Sequence, residues 1–167
     1  MFLLAEAEIP ALRNTKAFVM DYGWEMHHLF NEIAKSQGAN RSASATLQQG
    51  NLVEGDEQEM EKKTALDIDQ LLAQKEEQYE FGYQMHFTSN HDENSWAGTE
   101  FARMGDGHKA FAVLAATFDG MPLLYTGMEA AMDKQLEFFK KDEVPWGDFT
   151  YGEFYATLFN LKHINQA

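Results

Sequence analysis

The chain alternates short apolar runs with stretches of helical period. Phe2-Leu-Leu-Ala5 is continuously apolar and ends in Glu6 and Glu8, the pattern of a buried parallel strand with a polar tip. Ile9-Pro10 closes it, because proline cannot donate to a ladder. Ala17-Phe-Val-Met20 predicts a second strand, followed by Asp21-Tyr-Gly23. From Trp24 to Lys35, Met26, His27, Phe30, Ile33 and Ala34 recur at helical spacing, and Gln37-Gly38 marks the stop. Residues 38–53 are rich in Gly, Asn, Ser and Gln and read as a loop. The acidic run Glu54, Asp56, Glu57, Glu59 and Glu61 reads as a solvated face. A second helix is predicted over Ala65–Tyr79, with Leu66, Ile68, Leu71, Leu72 and Lys75 on one stripe.

A third strand, Tyr83 to Thr88, runs into the most densely polar stretch of the chain, Asn90-His-Asp-Glu-Asn-Ser95. Alone, such a stretch reads as a loop that caps the next helix; at the end of a buried parallel strand it delivers side chains to an open rim. Phe101 opens a short helical turn, Lys109–Phe118 is a nearly all-apolar helix, and Asp119-Gly120 is a turn. Met121-Pro-Leu-Leu-Tyr125 is a fourth strand with Thr126-Gly-Met-Glu129 as its rim. Residues 133–150 form an irregular connection anchored by Phe138, Phe139 and Trp146, and Phe154–His163 is a closing helix. Strands alternating with helices predict right-handed βαβ units around a parallel sheet, an α/β fold. The whole of 1–167 forms one domain, with an irregular, partly helical insertion at about 38–80.

Charge narrows the partners. Twenty-seven acids against 13 bases give a net charge of −14, which disfavours nucleic acid and anionic membranes, whose binding requires Lys and Arg. Neutral ligands such as sugars fit. There is no cysteine, hence no disulfide framework and no thiolate chemistry, and the compartment stays open. No apolar run approaches the about 20 residues of a membrane span, and Met1-Phe-Leu-Leu-Ala5 lacks the basic start of a signal peptide.

Acids end three of the four strands: Glu6 and Glu8, Asp92 and Glu93, and Glu129. Carboxylates gathered beside His91, Trp96 and Tyr125 suit cleavage of a glycosidic bond. One acid protonates the leaving oxygen, negative charge stabilises an oxocarbenium-like transition state, and aromatic faces stack on sugar rings. For Glu8, Glu93 and Glu129, structural hydrogen bonding at the rim is the simpler role. His27, His28, His86, His108 and His163 show no ligand spacing and read as helix or core histidines.

Phe87-Thr-Ser-Asn-His-Asp-Glu-Asn-Ser-Trp96, Gly120-Met-Pro-Leu-Leu-Tyr-Thr-Gly-Met-Glu129 and Phe2-Leu-Leu-Ala-Glu-Ala-Glu8 resemble three segments of the α-amylase family of (β/α)8-barrel glycoside hydrolases, in the family's order. The resemblance runs over 1–167 and implies the C-terminal half of the catalytic barrel, its strands five to eight, at residues 2–6, 17–20, 84–88 and 122–125. It implies an α-glucan or maltooligosaccharide as ligand. Glu6 matches the general acid/base, with Glu8 the weaker match. Asp92 matches the carboxylate that grips sugar hydroxyls, His91 the histidine bonding the same sugar, and Asn90 the residue orienting that loop. The family's nucleophile is an aspartate two residues after an arginine, and no Arg-x-Asp occurs here: Arg13, Arg41 and Arg103 are followed by Asn14-Thr15, Ser42-Ala43 and Met104-Gly105. The expected chain therefore holds an acid and a sugar-gripping carboxylate without a covalent nucleophile. It has no metal ligands or cofactor of its own, the family's calcium positions lying mostly outside the matched segments. Four strands of an eight-stranded barrel leave two open edges, and the outer strands Phe2–Ala5 and Pro122–Tyr125 lack edge charges. The expectation is a homodimer or higher oligomer that completes the barrel.

Overall fold

The computed structural model describes residues 1–46 and 62–165. Four strands, β1 (Leu4–Ala5), β2 (Met20–Tyr22), β3 (Tyr83–His86) and β4 (Met121–Pro122), form one sheet in the order β1-β2-β3-β4, every neighbouring pair parallel. The helices are α1 (Pro10–Asn14), α2 (Trp24–Thr46), α3 (Ala65–Gln78), α4 (Glu100–Met104), α5 (His108–Thr117) and α6 (Gly152–Ile164). Four parallel strands with intervening helices are the content of half a (β/α)8 barrel.

Several boundaries depart from the sequence pattern: β1, β3 and β4 are shorter than expected, β4 closing at Pro122 and not at Tyr125, and three others shift. Pro10 opens α1 instead of merely ending β1, since at the first helical position its missing N–H costs nothing. The second strand consequently begins later than residue 17: Phe18 N still bonds Leu12 O, and pairing starts where Val19 N meets Leu3 O. Helix α2 passes through Gly38 to Thr46, so residues 38–46 of the expected loop are helical, and 47–53 lie outside the described residues. Glycine weakens a helix without obliging it to stop, and no proline follows before Thr46. The acidic run 54–61 lies outside the described residues. Helix α3 starts where it was expected, on a capping box in which Thr64 Oγ1 accepts from Leu66 N and Asp67 Oδ2 accepts from Thr64 N.

Two glycines let the strands approach. Gly82 (φ +82°) and Gly120 (φ +120°) precede β3 and β4, and a Cβ on either would lie 2.3 Å from a carbonyl oxygen of the neighbouring strand, Val19 and Gln84 respectively. At the outer strand β4, Leu123 N turns inward to His86 O. Alternation then directs Pro122 outward, so this edge lacks a donor and is blunted. The edge of β1 has no such device, and Phe2, Leu3 and Leu4 remain exposed beside it.

Register partners in a parallel sheet share a face. One face carries Met20, Tyr22 and Met85, buried together with Phe87. The other carries Asp21, Gln84 and His86, and it is polar although covered by helices. Arg13 of α1 pairs with Asp21 at 3.3 Å and lays its guanidinium over the Tyr79 ring at 3.6 Å. Gln84 donates to Glu8 at 2.6 Å, and Lys75 of α3 bridges Glu8 at 2.8 Å and Glu25 at 2.5 Å. His86 bonds Asp119 O at 2.9 Å and stands edge-on to Phe118. The apolar contacts between helices lie outside this layer. One cluster joins Met26, Phe30, Ile33, Ile68, Met104 and Phe111, and another joins Ala112, Ala116, Met128, Tyr155 and Leu158.

Lys75 thus sits on the apolar stripe of α3 as a buried cation. Lys75→Met should cost about 3–5 kcal/mol in urea unfolding, because Glu8 is left buried without its counter-charge, whereas Lys140→Ala, which breaks the exposed pair with Glu137, should cost less than about 1 kcal/mol. Burial raises the Asp21 carboxyl from 3.8 to about 6 against the opposing pull of Arg13. The folded state therefore binds the proton more tightly than the unfolded chain, and this contribution to stability is lost as pH rises between those two values. Asp21→Asn should flatten that part of the pH–stability curve, as measured by urea unfolding at several pH values.

Candidate active site at the strand ends

Because all four strands are parallel, the segments after their C-terminal ends gather on one rim. Glu6 follows β1 and the stretch Asn90–Asp92 follows β3. There His91 Nε2 lies 3.5 Å from Glu6 Oε1 and 3.7 Å from Asp92 Oδ1. One donor atom from each of the three falls within 4.8 Å of the others. All three side chains are open to solvent, so a ligand can reach them. Tyr22, one step earlier on β2, has its phenol pushed up by burial and further by the charges of Glu6 and Asp92. Its ring stacks on Trp24 and meets Phe87 edge-on. Nothing in the sequence pattern singled out Tyr22, since it reads as a turn residue after the second strand.

The rim is fixed from below. Asn90 is buried; its Oδ1 accepts from Glu93 N at 2.8 Å and its carbonyl accepts from Asn94 N at 3.0 Å. A π-helical turn, Glu93–Ala97, follows. Glu93 points inward, with His27 Nε2 at 2.8 Å and Arg103 Nη1 at 3.8 Å. The hydrogen bond from His27 lowers the Glu93 carboxyl. His27 is fully buried, with Phe87 O at 3.2 Å from Nδ1. Nδ1 thus faces the Phe87 carbonyl, and Nε2 lies between the Glu93 carboxylate and the Asn31 Nδ2 donor at 3.0 Å; burial lowers the proton affinity of the ring against the pull of Glu93. Arg103 completes the support by donating to Gly98 O, Asn31 Oδ1 and Thr88 O. Thr88 in turn donates to Glu100, whose carboxyl burial raises.

Adjacent acids take different parts. Glu6 and Asp92 reach the rim, whereas Glu8 is turned into the sheet–helix layer and Glu93 into the clamp with His27. Trp96 is 67% exposed and touches Phe138, which stacks on His91. Tyr125, like Leu124, Tyr151 and Phe154, packs against the α5–α6 cluster. Calcium takes six to eight oxygen ligands, and two carboxylates with one imidazole do not fit it.

No family model and no curated protein matches the chain. Among solved structures it is similar to a maltogenic α-amylase from Thermotoga neapolitana, with a TM-score of 0.69 and 16% identity, over 99% of this chain and 33% of that one. It is likewise similar to an α-amylase from Lactobacillus plantarum, with a TM-score of 0.64 and 19% identity, over 95% of this chain and 31% of that one. The chain spans about a third of the length of these enzymes. The resemblance to the α-amylase family drawn from three sequence segments is therefore carried by the fold across nearly the whole chain.

Proposed function

We propose that the chain binds α-glucans at the rim of Glu6, His91 and Asp92. The observation that carries the reading is the convergence of these three side chains, from two strand ends, at an open rim on an α-amylase-like fold. Asp92 accepts hydrogen bonds from sugar hydroxyls, His91 bonds the same ring, and Trp96 offers an exposed aromatic face to it. Glu6, open to the glycosidic oxygen, is the candidate proton donor. Its separation from Asp92, at most 4.8 Å between the facing oxygens, leaves no space for the water that an inverting pair needs, at about 6.5–9.5 Å. A retaining cycle needs a nucleophilic carboxylate besides the acid, and the sequence holds no Arg-x-Asp to match the family's nucleophile, Asp92 being assigned to the sugar hydroxyls. Binding without completed turnover is the function this chain supports by itself.

Titration calorimetry with maltoheptaose should show binding by the parent chain and at least about tenfold weaker binding by Asp92→Asn. Hydrolysis of a chromogenic maltooligosaccharide should stay at background. No binding would sink the proposal. Turnover that disappears in both Glu6→Gln and Asp92→Asn would instead make the chain an enzyme.

The bare edge of β1 favours a second property, self-association that extends the sheet, in the simplest form a homodimer completing the barrel. The net charge of −14 opposes it, so association should strengthen with salt as repulsion is screened. Sedimentation at raised ionic strength should show species at twice the 19.1 kDa chain mass, and Leu4→Lys should abolish them. A monomer under all conditions would count against the idea.

A further inference from the structure

Residues 133–136 are hydrogen-bonded to the turn behind the rim. Asn94, buried in the turn after Asp92, donates from Nδ2 to Lys134 O at 3.1 Å and accepts from Leu136 N at 2.8 Å. Its side-chain amide thus takes the place of a strand partner. Gln135 Nε2 donates to Ser95 O at 2.6 Å, and Thr99 Oγ1 donates to Asp133 Oδ1. Asp142 folds the segment back by accepting from Lys134 Nζ, Glu137 N and Glu143 N.

The result of this tethering is the place of Phe138. Its ring lies nearly parallel to the His91 imidazole, at 6.0 Å and 17°, and contacts Trp96 at 5.2 Å. Phe139 then takes a left-handed backbone (φ +62°) with its ring 92% exposed, a conformation that bulky side chains rarely adopt. His91 needs such a support. Its approaches to Glu6 and Asp92, 3.5 and 3.7 Å, exceed the range of directional hydrogen bonds, so the carboxylates alone do not set the ring's orientation.

We propose that Phe138 is a positioning residue, which holds the His91 imidazole in place between Glu6 and Asp92, and that Asn94 is the anchor that delivers it. The consequence for ligand affinity rests on the α-glucan reading; the positioning itself does not.

The test is NMR of the full chain with ¹³C-labelled histidine rings, recorded without ligand and then with maltoheptaose. In the parent chain ¹³C relaxation should report a His91 ring as ordered as the backbone that carries it. Phe138→Leu should lower the order parameter of that ring while that of His163, exposed near the end of α6, stays unchanged. Phe138→Tyr should keep the His91 ring ordered, and Asn94→Ala should reproduce the leucine effect. Maltoheptaose affinity should fall about tenfold in Phe138→Leu and Asn94→Ala and recover in Phe138→Tyr. A His91 ring that stays ordered in Phe138→Leu overturns the proposal, even where affinity falls, because Phe138 would then act by direct contact. A His91 ring that loosens in a chain that binds no glucan supports the positioning role and removes the α-glucan reading alone.

Discussion

The structure depends on a layer of charge buried between its sheet and its helices. In a parallel sheet covered by helices, the covered face is ordinarily apolar. Here Asp21, Gln84 and His86 occupy it, and Arg13, Lys75 and Glu8 come in to meet them. Each partner alone would be costly in that place, and the ion pairs Arg13–Asp21 and Lys75–Glu8 offset part of that cost, while Arg13 Nε and His86 Nδ1 stay buried without a hydrogen-bond partner. The arrangement also discriminates register. A slip of β3 by one residue would place Met85 in the polar layer and Gln84 beside Met20 and Tyr22. The short strands, two to four residues each, contribute few ladder bonds, so side-chain pairing across the layer supplies the specificity that ladder length does not.

The same logic of paired burial continues into the rim. Asn90, Glu93, His27, Arg103 and Thr88 form one connected polar body beneath His91 and Asp92. A carboxylate that must face solvent at a fixed point needs its backbone held, because its own side chain gains nothing from the protein. Glu93, next to Asp92, provides that hold by turning the opposite way. The pair Glu6 and Glu8 repeats the division on β1, with one acid open at the rim and its neighbour locked to Lys75 and Gln84. In both places an acid that is structural stands beside one that is available for chemistry.

This division explains what could be read from the chain. The strand-to-rim transition at residues 83–92 was legible because it is continuous in sequence and changes abruptly from apolar to polar. The longer helices were legible from their period, though α1 and the continuation of α2 past Gly38 were not, and Lys75 fell on its stripe without disclosing why a cation belongs there. The partners that matter were not legible, since His27 meets Phe87 O across 60 residues and Arg103 meets Asn31 across 72, separations that leave no mark on local pattern. Pro10 misled about the start of the second strand because proline both ends strands and opens helices. Tyr22 and Asn94 escaped notice for a related reason: one reads as turn, the other as cap, and their significance comes from neighbours supplied by other elements.

The irregular segment after β4 gains a meaning from this picture. Its aromatic residues looked like generic anchors, yet Phe138 meets the imidazole at the rim while Trp146 and Phe149 stack with each other elsewhere. A rim assembled only from strand ends would leave His91 free to turn, since a ring half open to water and flanked by two distant carboxylates has several comparable orientations. Closing that freedom requires a flat apolar surface on one side, rigid enough to reduce the ring's entropy before any ligand arrives. The hydrogen bonds that the segment shares with Asn94 and with the Ser95 carbonyl make the stretch that carries Phe138 rigid in this sense. The rim is thus held at two levels, by charge pairing beneath it and ring stacking above it, and the second depends on the first, which fixes the turn in which Asn94 sits.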